Sequence, residues 1–338
     1  MIVLHPVPLN SIGVTEALLK EALALEGMAA FRPQMSGFYP DYSGLCYLAP
    51  SPVKIREAQK IFHACVPGEN GQGLSRTPCY VPPEMMTLDQ ISKKVYALSG
   101  QKKILPSKLI PVIVSLLSGT GMGFSSLVTD FVRDIRRNYP DTYGEGMKDM
   151  LTEIFSELNI PDSMTELVFR CLDLSGRYTA FKGEHGLADR EDVMQVCLDQ
   201  LSLLTYRVLI IDGFYNPDAT ERNILRGLIH HAASTLIAVP YDPQFRGLGE
   251  PFIRFLKKEF ALEEKEIVLR DDTKVNRPFH YVSYPDSESE VEGIARNIKS
   301  RYLSGAFREL ENIVVAFPSL EPYAPMVRRV FQLYGIPF

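Results

Sequence analysis

The sequence feature that most limits how this chain can fold is a run of four apolar residues at 208–211, which ends directly at Asp212. A strand that is apolar on both faces is typical of a parallel sheet covered by helices on both sides. A segment with helical spacing follows, and the Asn216-Pro217 pair suits its N-cap and first helical position. Another apolar run occupies 236–240. This alternation of strand and helix predicts an α/β fold.

The N-terminal part of the chain shows the same alternation. Apolar runs at 2–4 and 45–49 predict two strands. Segments rich in helix-forming residues at 15–25 and 53–64 predict one helix after each strand. A loop that contains two prolines is expected between the first strand and the first helix. These elements and those around Asp212 are predicted to share one parallel sheet.

A long stretch between these two parts has no strand-like run. Its segments with helical spacing are separated by glycine and proline, and they lie at 88–98, 107–117, 124–138, 146–158 and 163–181. The stretch is therefore predicted to be an all-helical insertion. The predicted domains are an α/β domain at 1–82 plus 198–280, the insertion at 83–197, and the start of a second α/β domain at 281–338.

The C-terminal segment repeats the α/β pattern on a smaller scale. Ser287 and Glu290 have capping-box spacing, and apolar residues then recur at helical intervals up to Tyr302. Residues 312–317 are predicted to form a strand, and a last helix is expected between Ser319 and Gly335. About 60 residues of this pattern cannot close a full core. We therefore expect this second domain to continue in a longer protein.

Bulk composition limits the function classes. A net charge of -5 argues against a surface that coats nucleic acid throughout, although a local basic face is compatible with it. The five cysteines are scattered without a CxxC pair, which favours a reducing compartment and gives no expectation of a zinc or iron–sulfur site. The first residues do not resemble a signal peptide, and no apolar run has the length of a membrane span. The sequence is thus expected to be cytoplasmic.

Three stretches, in order along the chain, resemble DNA helicases of the UvrD/RecB type, and more closely the AddB-type subunit of bacterial ATP-dependent helicase–nucleases. Residues 208–232 resemble a Walker B strand and its helix, with Asp212 at the acidic position. Residues 177–193 resemble the end of the helical insertion, and 279–338 the start of the second motor domain. The resemblance implies a P-loop-NTPase-like fold, DNA double-strand-break repair and recombination, and a partner helicase subunit. In the family an exonuclease domain lies further along the chain.

The residues that ATP hydrolysis requires are missing. A P-loop needs glycines whose backbone N–H groups surround the phosphates, and a lysine for the β- and γ-phosphates. The segment 5–17 between the first strand and helix has one glycine, two prolines without N–H groups, and no lysine before Lys20. Gly213 also stands where active helicases have a second carboxylate. We predict that this chain neither hydrolyses ATP nor holds a nucleotide cofactor, and we expect no resident metal.

Two interpretations of Asp212 remain open. It is either a vestigial metal ligand or a turn residue that accepts from nearby backbone N–H groups, and the turn is favoured because no P-loop lies opposite. The glycine-rich segment 119–123 follows a helix and is expected to connect two helices. Gln244 and Arg246 can be aligned with the helicase motif that senses ATP, and this similarity is interpreted as structural only. Residues 271–274, Asp-Asp-Thr-Lys, contain the residue types of a PD-(D/E)XK nuclease motif, but no apolar strand with a partner acid precedes them. No nuclease site is therefore predicted.

The strongest signal for DNA binding is a local excess of positive charge. Residues 90–129 contain five lysines and no acidic residue: Lys93, Lys94, Lys102, Lys103 and Lys108. Such a face can hold the phosphates of single- or double-stranded DNA without recognising bases, and an ordinary solvated face is the alternative. Arg133, Arg136 and Arg137 would extend the patch if the next helix packs beside it. The resemblance adds Ser51 and Thr87, which lie where helicases have strand-end loops that contact single-stranded DNA.

Two functions are consistent with these features. The first is a non-hydrolysing helicase-like module that grips or scans a DNA strand beside a partner motor. The second is a protein-interaction scaffold that docks the partner motor without touching DNA.

Overall fold

The computed structural model describes residues 1–8, 11, 13–25, 41–65, 80–99, 102–140, 146–242, 247–266, 281–306, 309–310 and 313–338. By their internal contacts the residues divide into two units, Met1–Lys274 and Val275–Phe338.

The first unit contains all the strands found in the described residues. They are β1 (Ile2–Pro8), β2 (Leu45–Leu48), β3 (Glu84–Met86), β4 (Lys103–Ile104), β5 (Leu187–Ala188), β6 (Tyr206–Asp212), β7 (Ala232–Tyr241) and β8 (Glu263–Glu264). The helices found in its described residues are α1 (Val14–Ala24), α2 (Pro52–Cys65), α3 (Leu88–Ser99), α4 (Ile110–Ser118), α5 (Met122–Asn138), α6 (Met147–Glu157), α7 (Asp162–Glu184), α8 (Arg190–Asp199), α9 (Ala219–His231) and α10 (Glu250–Glu259). Short 3-10 turns occupy Ser107–Leu109 and Leu201–Leu203.

Six strands form one parallel sheet in the order β3-β2-β6-β7-β1-β8. Strand β6 lies inside the sheet, and its apolar residues alternate between two cores. Val208 and Ile210 pack with α1 and α2 on one face, while Leu209 and Ile211 pack with α3, α8, α9 and α10 on the other. The α/β class with a parallel sheet covered on both faces is therefore confirmed.

The sheet core extends into the segment predicted to be an insertion. Strand β3 belongs to the main sheet, and α3 and α8 pack against it through residues such as Ile91 and Met194. A separate helical core is formed by α4, α5 and α7, with Val114, Val128 and Leu174 among its buried residues. This helical part also contains the short parallel pair β4–β5. The expectation of an all-helical insertion over 83–197 is wrong in these respects.

Two local predictions in the first unit are also corrected. The expected proline loop is strand, because β1 continues to Pro8 along β7. Strand β8 pairs only with Val3 and Leu4, so both prolines lie where β7 is the only described neighbour of β1 and a missing N–H is tolerated. Helix α9 is capped by Asp218, in a capping box with Glu221, and not by Asn216. Asp218 is the N-cap because its side chain accepts a hydrogen bond from the N–H of the third helical residue, Glu221.

The second unit has two packed helices, α11 (Ser287–Leu303) and α12 (Leu320–Tyr334). Asp286, one residue before the predicted cap, accepts from the Ser289 N–H at 2.7 Å. Tyr302 is exposed, so the predicted core stripe ends before it. Gly335 ends α12 in the left-handed conformation at φ 64°, at the predicted position.

The strand predicted at 312–317 is not formed in its described part. Ile313, Val315 and Phe317 pack on the helices, but Val314 is 87% exposed. No strand of the described residues pairs with this segment. An apolar sequence alone does not make a strand, because the ladder needs a neighbour to take its backbone hydrogen bonds.

Among the described helices, no single one is long and apolar enough to cross a lipid bilayer. The segments 107–118 and 122–138 reach that length and composition only as a pair bent by 114°.

Candidate functional site

The candidate site lies at the carboxyl edge of the main sheet. In open α/β sheets ligands bind in the crevice at this edge, where connections leave in opposite directions. Helix α1 follows β1 on one face of the sheet, and α9 follows β6 on the other. A cavity of about 340 Å³ opens here, lined by Pro8, Gly13, Thr15, Lys54, Asp212 and Pro240, among others.

Asp212 is the centre of the site. It ends β6 and is fully buried. Its Oδ2 accepts hydrogen bonds from the Thr15 hydroxyl at 2.7 Å and the Tyr47 hydroxyl at 2.6 Å. Its Oδ1 accepts from the Lys54 Nζ at 2.6 Å, and this contact is also an ion pair. We call Asp212, Thr15, Tyr47 and Lys54 the cleft site.

The elements around β6 bring these donors together. Thr15 is the second residue of α1, immediately after the turn that follows β1. Tyr47 lies in β2, the direct neighbour of β6, and it is completely buried. Lys54 lies in the first turn of α2, which begins just beyond β2. One buried carboxylate is therefore reached from three different elements at the same edge of the sheet.

The electrostatics of the cleft site are those of a compensated buried charge. A carboxylate withdrawn from water needs an opposite charge and hydrogen bonds to its oxygens, and Asp212 has both. Burial raises the pKa of Tyr47 far above its usual range, and the negative charge of Asp212 raises it further. The Tyr47 hydroxyl therefore stays protonated and acts as a donor. The Lys54 side chain is 27% exposed, so its ammonium lies at the mouth of the cleft.

Gly213 fits this arrangement in two ways. Its φ of +87° is in the left-handed region, which side chains rarely adopt. A Cβ at this position would lie 2.6 Å from the Lys54 Nζ. A larger residue, including the carboxylate of an active helicase, would therefore compete with Lys54 for the same space. The absence of a side chain at Gly213 therefore leaves the space that the Lys54 ammonium occupies beside Asp212.

The favoured sequence interpretation of Asp212 as a turn residue is wrong. Its carboxylate accepts from three side chains, and the N–H of Gly213 donates to the carbonyl of Ala238 instead. Sequence reasoning missed Thr15, Tyr47 and Lys54. Only Thr15 had a local signal, because it follows Gly13 by two residues at the start of a helix.

The five predicted DNA-binding lysines separate into two groups. Lys93 pairs with Asp89 at 2.8 Å, and Lys94 pairs with Glu84. Both acids lie just before residues 90–129, the segment that contains no acidic residue. Lys102, Lys103 and Lys108 are exposed, and no acidic partner is found for them in the described part of the chain.

Ser51 and Thr87 both lie at the carboxyl edge of the sheet, after β2 and β3. The Ser51 hydroxyl accepts from the Lys54 N–H at 3.3 Å at the start of α2. The Thr87 hydroxyl accepts from the Gln90 N–H at 3.3 Å, and the Thr87 N–H donates to Oε1 of Gln90 at 2.9 Å. Each residue therefore caps a helix on the same edge as Asp212.

The three arginines of α5 do not extend the basic patch, because each is paired with acids of this chain. Arg133 pairs with Asp130, and Arg137 with Glu191. Arg136 donates to both oxygens of Asp189 at 3.0 and 2.9 Å and to Asp192 at 2.6 Å. Lys182 of α7 contacts the same two carboxylates at 2.6 and 2.5 Å. We call Arg136, Lys182, Asp189 and Asp192 the four-charge cluster.

Lys182 and Asp189 of the four-charge cluster are nearly inaccessible to solvent, whereas Asp192 is 30% exposed, and the cluster strongly affects the pKa of Asp192. Burial raises the pKa of this carboxyl, but the charges of Arg136 and Lys182, together with hydrogen bonds from Lys182 and from the Asp189 N–H, lower it to about 2. The cluster also caps α8, because Asp189 and Asp192 form its capping box. It therefore ties α5, α7 and α8 together.

Within the described residues, no group of three or more His, Cys, Asp or Glu side chains is arranged to hold a metal ion. The segment 119–123 connects α4 to α5, as expected from its position after a helix. Gln244 and Arg246, the segment 271–274 and Cys79 lie outside the described residues.

No model of a known protein family matches the chain, and no curated protein is significantly similar to it in sequence.

Proposed function

We propose that this chain is a non-hydrolysing helicase-like module that holds a DNA strand, and that its cleft is closed by an internal cation. The observation that carries the proposal is the contact of Lys54 with Asp212 beside Thr15. In P-loop NTPases, magnesium is held by the Ser/Thr hydroxyl of the loop and by the Walker B aspartate. Here the Thr15 hydroxyl donates to Asp212, and the Lys54 ammonium would take the place of the metal ion.

The spacing of the first turn supports a P-loop origin. The motif is Gly-x4-Gly-Lys-Ser/Thr. Pro8, Gly13, Val14 and Thr15 have that spacing, with proline for the first glycine and valine for the lysine. The hydroxyl that contacts magnesium is kept, and the groups that bind phosphate are lost. Together with Gly213, these replacements remove both phosphate binding and the acid that would orient water.

Isothermal titration with magnesium–ATP, and separately with Mn²⁺ alone, tests the closed cleft. We expect no specific heat from either titration, because Lys54 already neutralises Asp212 and Val14 offers no charge to a phosphate. A micromolar dissociation constant for ATP, with turnover, would overturn the proposal. Specific Mn²⁺ binding that Asp212→Asn abolishes would also contradict it.

Lys102, Lys103 and Lys108 support the DNA-binding part of the proposal, since their charge is not balanced by described acids. Polarisation of a labelled oligothymidylate tests it. Replacing all three lysines by Gln is expected to weaken binding at least ~10-fold and to reduce the salt slope by about 2, because each lost phosphate contact on a single strand contributes about 0.7. The matched control is Lys60→Gln with Lys258→Gln, two exposed lysines on α2 and α10.

The scaffold without DNA contact is the alternative. Absence of binding to both single- and double-stranded DNA at low salt would exclude the gripping function and favour the scaffold. The place of this module in double-strand-break processing, beside a partner motor, follows from the resemblance of the three stretches alone.

A further inference from the structure

Helix α4 and its N-cap residue Leu109, the last residue of the preceding 3-10 turn, expose an apolar stripe. Leu109, Val112 and Leu116 are 46%, 40% and 80% exposed, although each has a large aliphatic side chain. At 3.6 residues per turn these three positions fall within about 60° of one another around the helix axis. We call these three residues the α4 stripe. Contiguous apolar surface of this kind is characteristic of interaction sites, whereas single exposed leucines are ordinary.

The α4 stripe is distinct from the face that α4 uses for its own fold. Ile110 and Val114 are buried in the helical core with α5 and α7. They lie about 100° or more around the axis from the stripe at 3.6 residues per turn. The helix is thus apolar on two faces, and only one of them is covered within the described residues. The covered face accounts for the folding of α4, and it leaves the stripe without a structural role.

Positive charge marks both ends of the α4 stripe. Lys108 precedes Leu109, and Arg177 of α7 donates to the carbonyl of Leu117 at the other end. Both cations are exposed, and no acidic partner is found for either among the described residues. The acid-free window 90–129 includes the whole of α4. The surface therefore combines an aliphatic centre with one cation at each end.

We propose that the α4 stripe docks an amphipathic helix with acidic flanks, supplied by a protein partner. A helix that lays apolar residues at i, i+3 or i+4 and i+7 along the stripe buries its own apolar face and that of α4 together. Acidic residues at its two ends would meet Lys108 and Arg177, which fixes direction and partner choice. A DNA strand gains less from this surface, because bases stack on aromatic rings and the stripe has none.

This proposal goes beyond DNA binding and does not depend on the closed cleft. Lys108 belongs to both surfaces, so the charge variant used here is Arg177→Glu. If Arg177→Glu weakens binding of an acidic helical peptide and leaves oligothymidylate binding unchanged, the two proposals are separated experimentally.

The probes are two synthetic helical peptides with the same leucine pattern, one flanked by glutamates and the other by lysines, each with a fluorescent label. By anisotropy, the acidic peptide is expected to bind the wild-type chain with a micromolar dissociation constant, and the basic peptide is not. Leu116→Glu is expected to weaken the acidic peptide at least 10-fold. Arg177→Glu should weaken it several-fold and reduce its salt dependence. Leu98→Glu, an exposed leucine on α3, is the matched control and should leave binding unchanged.

Several results would overturn the proposal. One is equal binding of the acidic and basic peptides, and another is no binding of either. A concentration-dependent dimer that Leu116→Glu converts to a monomer, measured by sedimentation, would assign the stripe to a second copy of the chain. Binding to anionic vesicles without binding to the peptide would assign it to a membrane surface. Circular dichroism checks that each variant folds, and Leu116→Ser replaces Leu116→Glu should the glutamate variant fail to fold.

Discussion

The cleft site and the four-charge cluster both place charges inside the first unit, but they do so in different ways. In the cleft site one carboxylate meets one ammonium and two hydroxyls, and the ammonium of Lys54 remains partly accessible at the edge of a cavity. In the four-charge cluster two carboxylates meet two cations, and Lys182 and Asp189 are nearly inaccessible to solvent. Both arrangements border a cavity, but the cleft site lies at the carboxyl edge of the main sheet, whereas the four-charge cluster joins the helices α5, α7 and α8.

The two regions differ in how their charges are linked to secondary structure. The four-charge cluster caps α8 and ties it to α5 and α7, so each of its charges has a direct structural task. Asp212 caps no helix, and its three donors come from the separate elements α1, β2 and α2. A buried carboxylate at the ligand edge of a parallel sheet has the position that the proposed function assigns to a former cation site.

The largest expected effect is the loss of Arg136. Arg136→Met leaves Asp189 and Asp192 with Lys182 as their only cation in the cluster, so the free energy of unfolding should fall by about 3–5 kcal/mol. Urea denaturation measures it. Arg133→Met, which removes an exposed pair with Asp130, is the matched control and should cost less than about 1 kcal/mol. A small loss in Arg136→Met would remove the distinction between the two regions.

The second-largest expected effect is a loss of stability at low pH. Because the pKa of Asp192 is held at about 2, below its usual 3.8, this carboxyl stabilises the fold above about pH 4 and loses that contribution as the pH falls through 2. The loss amounts to about 2 kcal/mol at 1.4 kcal/mol per pH unit. Unfolding free energies at several pH values should therefore fall less steeply for Asp192→Asn than for the wild type. Identical slopes would show that the cluster does not depress this pKa.

The sequence was sufficient to predict the strands at 208–211 and 236–240, because a strand buried on both faces needs continuous apolar residues. It was insufficient at 313–317, where the composition is equally apolar and no strand of the described residues lies alongside. Strand formation depends on a neighbour, and a neighbour is a property of the tertiary structure.

The candidate site was predictable only in part. The position of Asp212 followed from the strand that it ends, but its partners Tyr47 and Lys54 are 165 and 158 residues away along the chain. No local sequence pattern predicts contacts between residues so far apart along the chain. The lysines show the same limit at short range, since Lys93 and Lys94 reach back to Asp89 and Glu84, just outside the acid-free window.

The smallest effect tests whether Gly213 and Lys54 depend on each other. Gly213→Ala should cost about 1–2 kcal/mol, because alanine is strained at this positive φ and its Cβ would displace the Lys54 ammonium from Asp212. In a Lys54→Met background only the backbone strain remains, so the same change should cost about 1 kcal/mol. A double-mutant cycle by urea denaturation gives the coupling between the two sites. If the costs are equal in both backgrounds, the glycine serves the turn alone, and the closed cation position would rest on Lys54 without help from residue 213.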